Sequence, residues 1–144
     1  KDLLGDSLFT KALHYYMSQW NGKHPMPLDF FNCMNTGSGK NLNWFWKKWF
    51  FDSGVPDLSI KKVTRLPRGY AVIVENKGNK PVPVDLVATD ADGAETRLHR
   101  SMAVWEKAGS VTLIVPSTKT IKKIKLGGTY VADVNKKDNV WEAP

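Results

Sequence analysis

Cysteine occurs once in the 144 residues, at Cys33. That excludes an internal disulfide and any cysteine-rich metal site. A lone cysteine in an aromatic-rich helix is expected to be buried. Histidine is also scarce, with His14, His24 and His99 in separate predicted elements, and no His-Glu-x-x-His occurs. A zinc site needs ligands on one face, and Ser-His or Cys-His catalysis needs a nucleophile beside an oriented base; neither pattern is present. No run approaches the ~20 apolar residues that span a bilayer. The most apolar stretch, residues 44–51, is broken by Lys47 and Lys48. No signal-peptide pattern is visible. The chain opens without Met on Lys1-Asp2-Leu3-Leu4, and we read that start as lying inside a longer protein. It gives no compartment.

Acidic side chains are the minority, 14 against 21 basic, for a net charge of +7. Residues 1–54 carry six basic and four acidic side chains (+2), and residues 55–144 carry fifteen and ten (+5). The basic residues are scattered, as on solvated strand faces and loops. High pI alone supports nucleic-acid binding, and we expect neither nucleic-acid nor membrane partners.

Two periodicities divide the chain. In residues 1–54, Leu8, Phe9, Ala12, Leu13, Tyr16, Met17 and Trp20 recur at three- and four-residue spacings, one helical stripe with Asp6 or Ser7 as its expected N-cap. Asn21-Gly22 and Pro25 end it. A second helix is predicted from Pro27, where a missing N–H costs nothing. Asp29 lies in its first turn, and Phe30, Phe31 and Met34 are its apolar contacts. Asn35-Thr36-Gly37-Ser38-Gly39-Lys40 reads as a loop. Asn41 is the expected cap of a third helix presenting Leu42, Phe45, Trp46 and Trp49, which Ser53-Gly54 and Pro56 terminate.

From Asp57 the period becomes two. Leu58 and Ile60, then Tyr70, Val72 and Val74, then Val82, Val84, Leu86 and Ala88 mark three strands. Thr96, Leu98 and Met102 mark a fourth, and Val111, Leu113 and Val115 a fifth. Ile121, Ile124 and Leu126 are spaced as across a bulge. Turn signals at Pro67-Arg68-Gly69, Gly78-Asn79, Asp92-Gly93, Ala108-Gly109 and Gly127-Gly128 separate them. The expected architecture is α+β: a short three-helix segment over residues 1–54, then an immunoglobulin-like antiparallel β-sandwich of about seven strands over residues 55–144.

Three local patterns invite chemistry. Gly37-Ser38-Gly39-Lys40 looks like the end of a phosphate-binding loop, yet Met34 and Asn41 stand where that loop needs Gly and Ser or Thr. Asp133-x-Asn135-x-x-Asp138 is rich in oxygens, but a calcium loop needs Gly sixth and Glu twelfth, where Asp138 and Pro144 stand; we read a polar turn. Trp44, Phe45, Trp46, Trp49, Phe50 and Phe51 fall within eight residues, so their helix is apolar on most sides and must be enclosed on most sides. Something beyond one small domain is expected to cover the remainder.

Pro27-x-Asp29-Phe30-Phe31-x-x-Met34, Ser38-Gly39-x-x-Leu42-x-Trp44-Phe45-Trp46-x-x-Trp49-Phe50 and Gly54-x-Pro56-x-Leu58 together resemble the end of the catalytic domain in M1-class (gluzincin) zinc aminopeptidases. The segment 15–27, with His24-Pro25, is similar to the helix and turn that lead into it. Ala132-Asp133-Val134-Asn135 through Asn139-Val140-Trp141 looks like the closing segment of some bacterial members. The specific resemblance covers residues 8–60. It implies a parent enzyme that removes amino-terminal residues from peptides. In that family zinc is held by His-Glu-x-x-His and a later Glu, a Gly-x-Met-Glu-Asn segment holds the substrate amine, and a Tyr stabilises the oxyanion. All lie upstream of the matched region, so the resemblance assigns this chain no catalytic residue, no metal ligand and no cofactor. It implies packing roles for Phe30, Phe31, Trp44, Phe45, Trp46, Trp49 and Phe50, and turn roles for Pro27, Gly39, Gly54 and Pro56. The implied partner is the remainder of the catalytic domain, with peptides as the parent's substrates; the isolated chain is expected to self-associate through exposed aromatics. The rival expectation is a free-standing module binding carbohydrate or peptide on an exposed ring, Trp105 or Trp141.

Overall fold

The computed structural model describes residues 1–128 and 131–144. It divides into two compact units, Lys1–Asp52 and Ser53–Pro144.

Unit 1 is helical. Helix α1 (Gly5–Trp20) starts earlier than the expected Asp6 or Ser7 cap. The N–H groups of Leu4 and Gly5 donate to the Lys1 carbonyl, so a backbone turn begins the spiral and no side-chain cap is used. Asp6 instead lies in the first turn, where a carboxylate suits the helix dipole. The stripe is as expected except for Met17, which is exposed.

Helix α2 (Pro27–Ser38) begins at its proline, and the Asp29 carboxylate accepts the Met26 N–H at 2.8 Å. It does not give way to a loop at Asn35. Residues 35–38 stay helical because Gly37 lies against α1: a Cβ there would stand 2.7 Å from Ala12 Cα. Close packing outweighs the weak helix propensity of Asn, Thr, Gly and Ser. Gly39 ends the helix with φ +67°, a left-handed cap that glycine adopts without penalty.

Helix α3 is shorter than expected, Asn43–Trp46, and widens into a π turn over Lys47–Phe51. The N-cap position falls to Leu42 instead of the expected Asn41, whose side chain, one residue earlier, accepts the Asn43 N–H at 3.0 Å. The core of unit 1 joins Ala12, Phe31, Met34, Leu42 and Trp46, with Leu3, Leu4, Phe9, Phe30 and Phe45 packed around it. Cys33 is buried and unpaired.

Among its described residues unit 2 holds seven strands: β1 (Leu58–Leu66), β2 (Gly69–Asn76), β3 (Val84–Asp90), β4 (Glu95–Arg100), β5 (Ser110–Pro116), β6 (Ile121–Leu126) and β7 (Val140–Glu142). They form two antiparallel sheets, ordered β1-β2-β5 and β4-β3-β6-β7. Helices plus antiparallel strands make the chain α+β. Alternation works as expected: Tyr70, Val72, Val74, Leu113 and Val115 are buried from the first sheet, and Val84, Leu86, Ala88, Ile121, Ile124 and Leu126 from the second. The bulge at β6 is present, since Thr89 pairs with Lys123 but Asp90 with Ile121. Met102 is a correction: β4 stops at Arg100, and Met102–Trp105 is a 3-10 turn whose Ala103 N–H donates to the Ser101 hydroxyl.

One polar contact reaches from β2 to β6. The Tyr70 hydroxyl accepts the buried Ile121 N–H at 3.1 Å and an Arg65 N–H at 3.0 Å. Tyr70→Phe leaves that buried N–H unpaired, so unfolding should become easier by about 1–3 kcal/mol, read as a lower denaturant midpoint with unchanged slope.

Candidate functional site

The aromatic segment sits on a scaffold that one side chain organises. Asn35, in the last turns of α2, accepts the Leu42 N–H at 3.2 Å and the Trp46 indole N–H at 3.0 Å through its carbonyl oxygen. Its amide donates to the Asn43 side chain at 2.7 Å. It therefore fixes the start of α3 and the direction of Trp46. Sequence reasoning missed it, because an Asn amid Thr, Gly and Ser carries the signal of a loop.

Trp46 then stacks on Phe31, with centroids 4.6 Å apart and planes within 18°. Phe30 meets Trp46 at 5.9 Å and Tyr16 at 5.1 Å, both edge-on. Phe45 packs against Trp46 at 5.0 Å, with Trp44 beside it at 6.0 Å. Past Trp46 the backbone changes its winding: in the π turn the Asp52 N–H reaches back to the Lys47 carbonyl, five residues instead of four. This turn rotates the last rings outward. Trp49 is 37% exposed, Phe50 62% and Phe51 65%. Phe50 and Phe51 touch Phe31 at 4.9 and 6.2 Å, so the buried cluster continues directly into an exposed apolar edge. Leu28, one helical turn before Phe31, is also 60% exposed.

The seven aromatic residues expected to pack thus separate. Phe31 and Trp46 are buried, Phe30, Trp44 and Phe45 are half-buried, and Trp49 and Phe50 stand at the surface. The turn residues fall in both units. Pro27 and Gly39 bound α2. In unit 2, Gly54 has φ +135° where a Cβ would meet the Gly78 carbonyl at 2.7 Å, and the Pro56 carbonyl accepts the Val134 N–H.

Among the described residues no three His, Cys, Asp or Glu side chains form a metal-ligand group. His14 lies on α1, His24 in the loop after it, and His99 on β4 holds Asp85 at 2.7 Å. These residues do not fit a zinc ion. The phosphate-loop reading fails with the helix: the Ser38 hydroxyl donates to the Met34 carbonyl at 2.7 Å. Trp105 is buried, its indole N–H donating to the Val82 carbonyl at 2.7 Å, and cannot serve as a stacking platform. Trp141 is half-buried beside Tyr70. Among the described residues no helix is long and apolar enough to cross a membrane.

Comparison with known proteins supplies what this geometry lacks. Aminopeptidase N of Haemophilus influenzae is 26% identical over 121 residues, covering 76% of this chain but 14% of that protein. This chain is similar to part of an aminopeptidase. The fold agrees: a crystal structure of Legionella pneumophila aminopeptidase A in complex with aspartic acid superposes with a TM-score of 0.58 and 23% identity, covering 78% of this chain and 13% of that one. No family model matches. The chain therefore spans about a seventh of the curated relative's length.

Proposed function

We propose that this chain is the non-catalytic carboxy-terminal part of a zinc aminopeptidase of the M1 class, and that its role is to pack against and brace the remainder of the catalytic domain. The observation that carries the reading is the exposed edge of Trp49, Phe50 and Phe51, continuous with a buried aromatic core. Rings in water at the end of a helix that also packs inward are an interface without its other half. In this reading that half is the catalytic domain preceding these helices, as the similarity to part of an aminopeptidase suggests. Zinc and the peptide substrate belong to that preceding part. In this reading the two sheets of unit 2 face each other as an immunoglobulin-like sandwich, supported by their alternating buried faces and by the Tyr70 hydroxyl that holds the Ile121 N–H.

The first test is the coding sequence upstream of Lys1. A His-Glu-x-x-His followed by a Glu in the same frame supports the reading; an upstream region without zinc ligands overturns it. The isolated chain should release no amino acid from aminoacyl reporter substrates with or without added zinc. It should also self-associate. Phe50→Lys with Phe51→Lys is expected to return it to a monomer in light scattering while costing under about 1 kcal/mol of stability, as exposed sites do.

A further inference from the structure

Four buried side-chain oxygens have no hydrogen-bond partner among the described residues: Asp57 Oδ1, Ser59 Oγ, Asp138 Oδ1 and Asn139 Oδ1. They come from two regions almost eighty positions apart, which the fold brings together. Asp57 immediately precedes β1, and its carbonyl accepts the N–H groups of Lys77 and Gly78. Ser59 follows Leu58, whose side chain fills the core; alternation sends Ser59 to the opposite face. The chain from Asp133 to Asn139 is tied down there. Asp133 accepts the Leu58 N–H at 3.0 Å, Val134 donates to the Pro56 carbonyl at 3.1 Å, and Lys77 reaches Asp138 Oδ2 at 2.8 Å. Ser59 and Asn139 are only 2% and 4% exposed.

At the joint the Lys77 ammonium faces the carboxylates of both Asp138 and Asp57. Burial raises the pKa of Asp57, and the carboxylates of Asp138 and Asp133 raise it further, opposed only by Lys77. Carboxylate and amide oxygens only accept, so a serine hydroxyl is the sole donor among the four. A water has two hydrogens to offer these oxygens, whereas one hard cation can be shared by several of them. Both Asp133 oxygens already accept backbone N–H groups, from Leu58 and Asn135, and are not needed.

We propose that Asp57, Ser59, Asp138 and Asn139 form an oxygen-only site for a hard divalent cation of the calcium class, which clamps the chain's last segment onto the start of β1. Calcium accepts carboxylates, neutral oxygens and waters in one irregular shell, whereas magnesium demands a near-ideal octahedron. Two carboxylates and two neutral oxygens make a weak site, in the range of about 10⁻⁴–10⁻³ M that extracellular calcium modules show. The ion would compete with the Lys77 ammonium for Asp138. The proposal is independent of the aminopeptidase reading.

The test is titration of the chelator-treated chain with calcium chloride, by calorimetry and by thermal unfolding. Binding of one ion is expected, with Tm rising about 5–7 °C at a tenfold excess over Kd and less in magnesium. Asp57→Asn and Asp138→Asn should each abolish the calcium-dependent rise. Asp57→Asn should also leave calcium-free Tm unchanged or higher, because it removes a buried charge that two carboxylates repel, which separates lost binding from lost folding. Asp92→Asn, in the β3–β4 turn, should keep the full rise. Three results overturn the site: no binding heat and no Tm shift, as when water fills the joint; the same shift from potassium chloride at equal ionic strength; or a full rise retained in both Asp57→Asn and Asp138→Asn.

Discussion

Gly37→Ala is expected to destabilise the helical unit by about 2–3 kcal/mol, although alanine is the better helix former. Intrinsic propensity and its unfolded-state component favour the substitution together. Alanine gains about 1 kcal/mol over glycine inside a helix, partly by restricting the unfolded chain. Against them stands a collision: the new Cβ would lie 2.7 Å from Ala12 Cα and 2.9 Å from Tyr15 Cβ. The first of these is backbone of α1, so the methyl cannot be accommodated by a rotamer change. The helices must separate, and the contacts of Ala12, fully buried in this core, loosen with them. Overpacking of this kind typically costs 1–3 kcal/mol, and the lost contacts bring the net cost to the upper part of that range. The measurement is the denaturant midpoint of the helical signal. Gly39→Ala is the control, since nothing lies within 4 Å of its Cβ and only the left-handed φ of +67° is strained; its cost should be about 1–2 kcal/mol. Were Gly37→Ala instead stabilising, α1 and α2 would have to lie further apart than this packing.

Gly37 also shows what limits a reading of the sequence. Periodicity located the first and second helices, β1 to β6 and the bulge at β6, because each depends on alternation that the core enforces residue by residue; β7, three residues long, is too short to show a period. The end of α2 and the course of α3 depend on something periodicity does not carry. Asn35-Thr36-Gly37-Ser38 has the composition of a loop, and it is helical because Gly37 permits close approach to Ala12 and Ser38 bonds back to Met34. Both partners are tertiary facts. Likewise the density of rings in residues 44–51 led to the expectation of a cover, but did not say which rings face outward. That depends on the π turn at Lys47–Phe51, and five-residue winding leaves no distinct spacing in so short a stretch. The joint at Asp57 is the extreme case: Asp133, Asn135 and Asp138 read alone as a polar turn, and only the fold adds Asp57 and Ser59.

Trp46→Ala should have the largest effect of any single substitution in unit 1. The side chain is 8% exposed, stacks on Phe31 at 4.6 Å and donates to Asn35 at 3.0 Å. Truncating a buried tryptophan costs about 3–5 kcal/mol from lost transfer and an unfilled cavity. At roughly 0.05–0.15 kcal/mol per residue, a unit of 52 residues has about 3–8 kcal/mol in total. The loss is therefore comparable to everything that holds the unit folded. Its expected signature is selective: helical circular dichroism falls, while slow amide exchange in β2 and β5 persists, since the contacts of Trp46 described above all lie within residues 1–52. Trp46→Phe divides the effect. It keeps a ring over Phe31 but leaves the Asn35 carbonyl one donor short, with the Leu42 N–H still bound, so its cost should be about 1–2 kcal/mol. If the two variants were equally damaging, the indole hydrogen bond would be the main term and the stacking secondary. If Trp46→Phe were nearly silent, the ring cluster alone would fix α3, and Asn35 would be a consequence of its position instead of its cause.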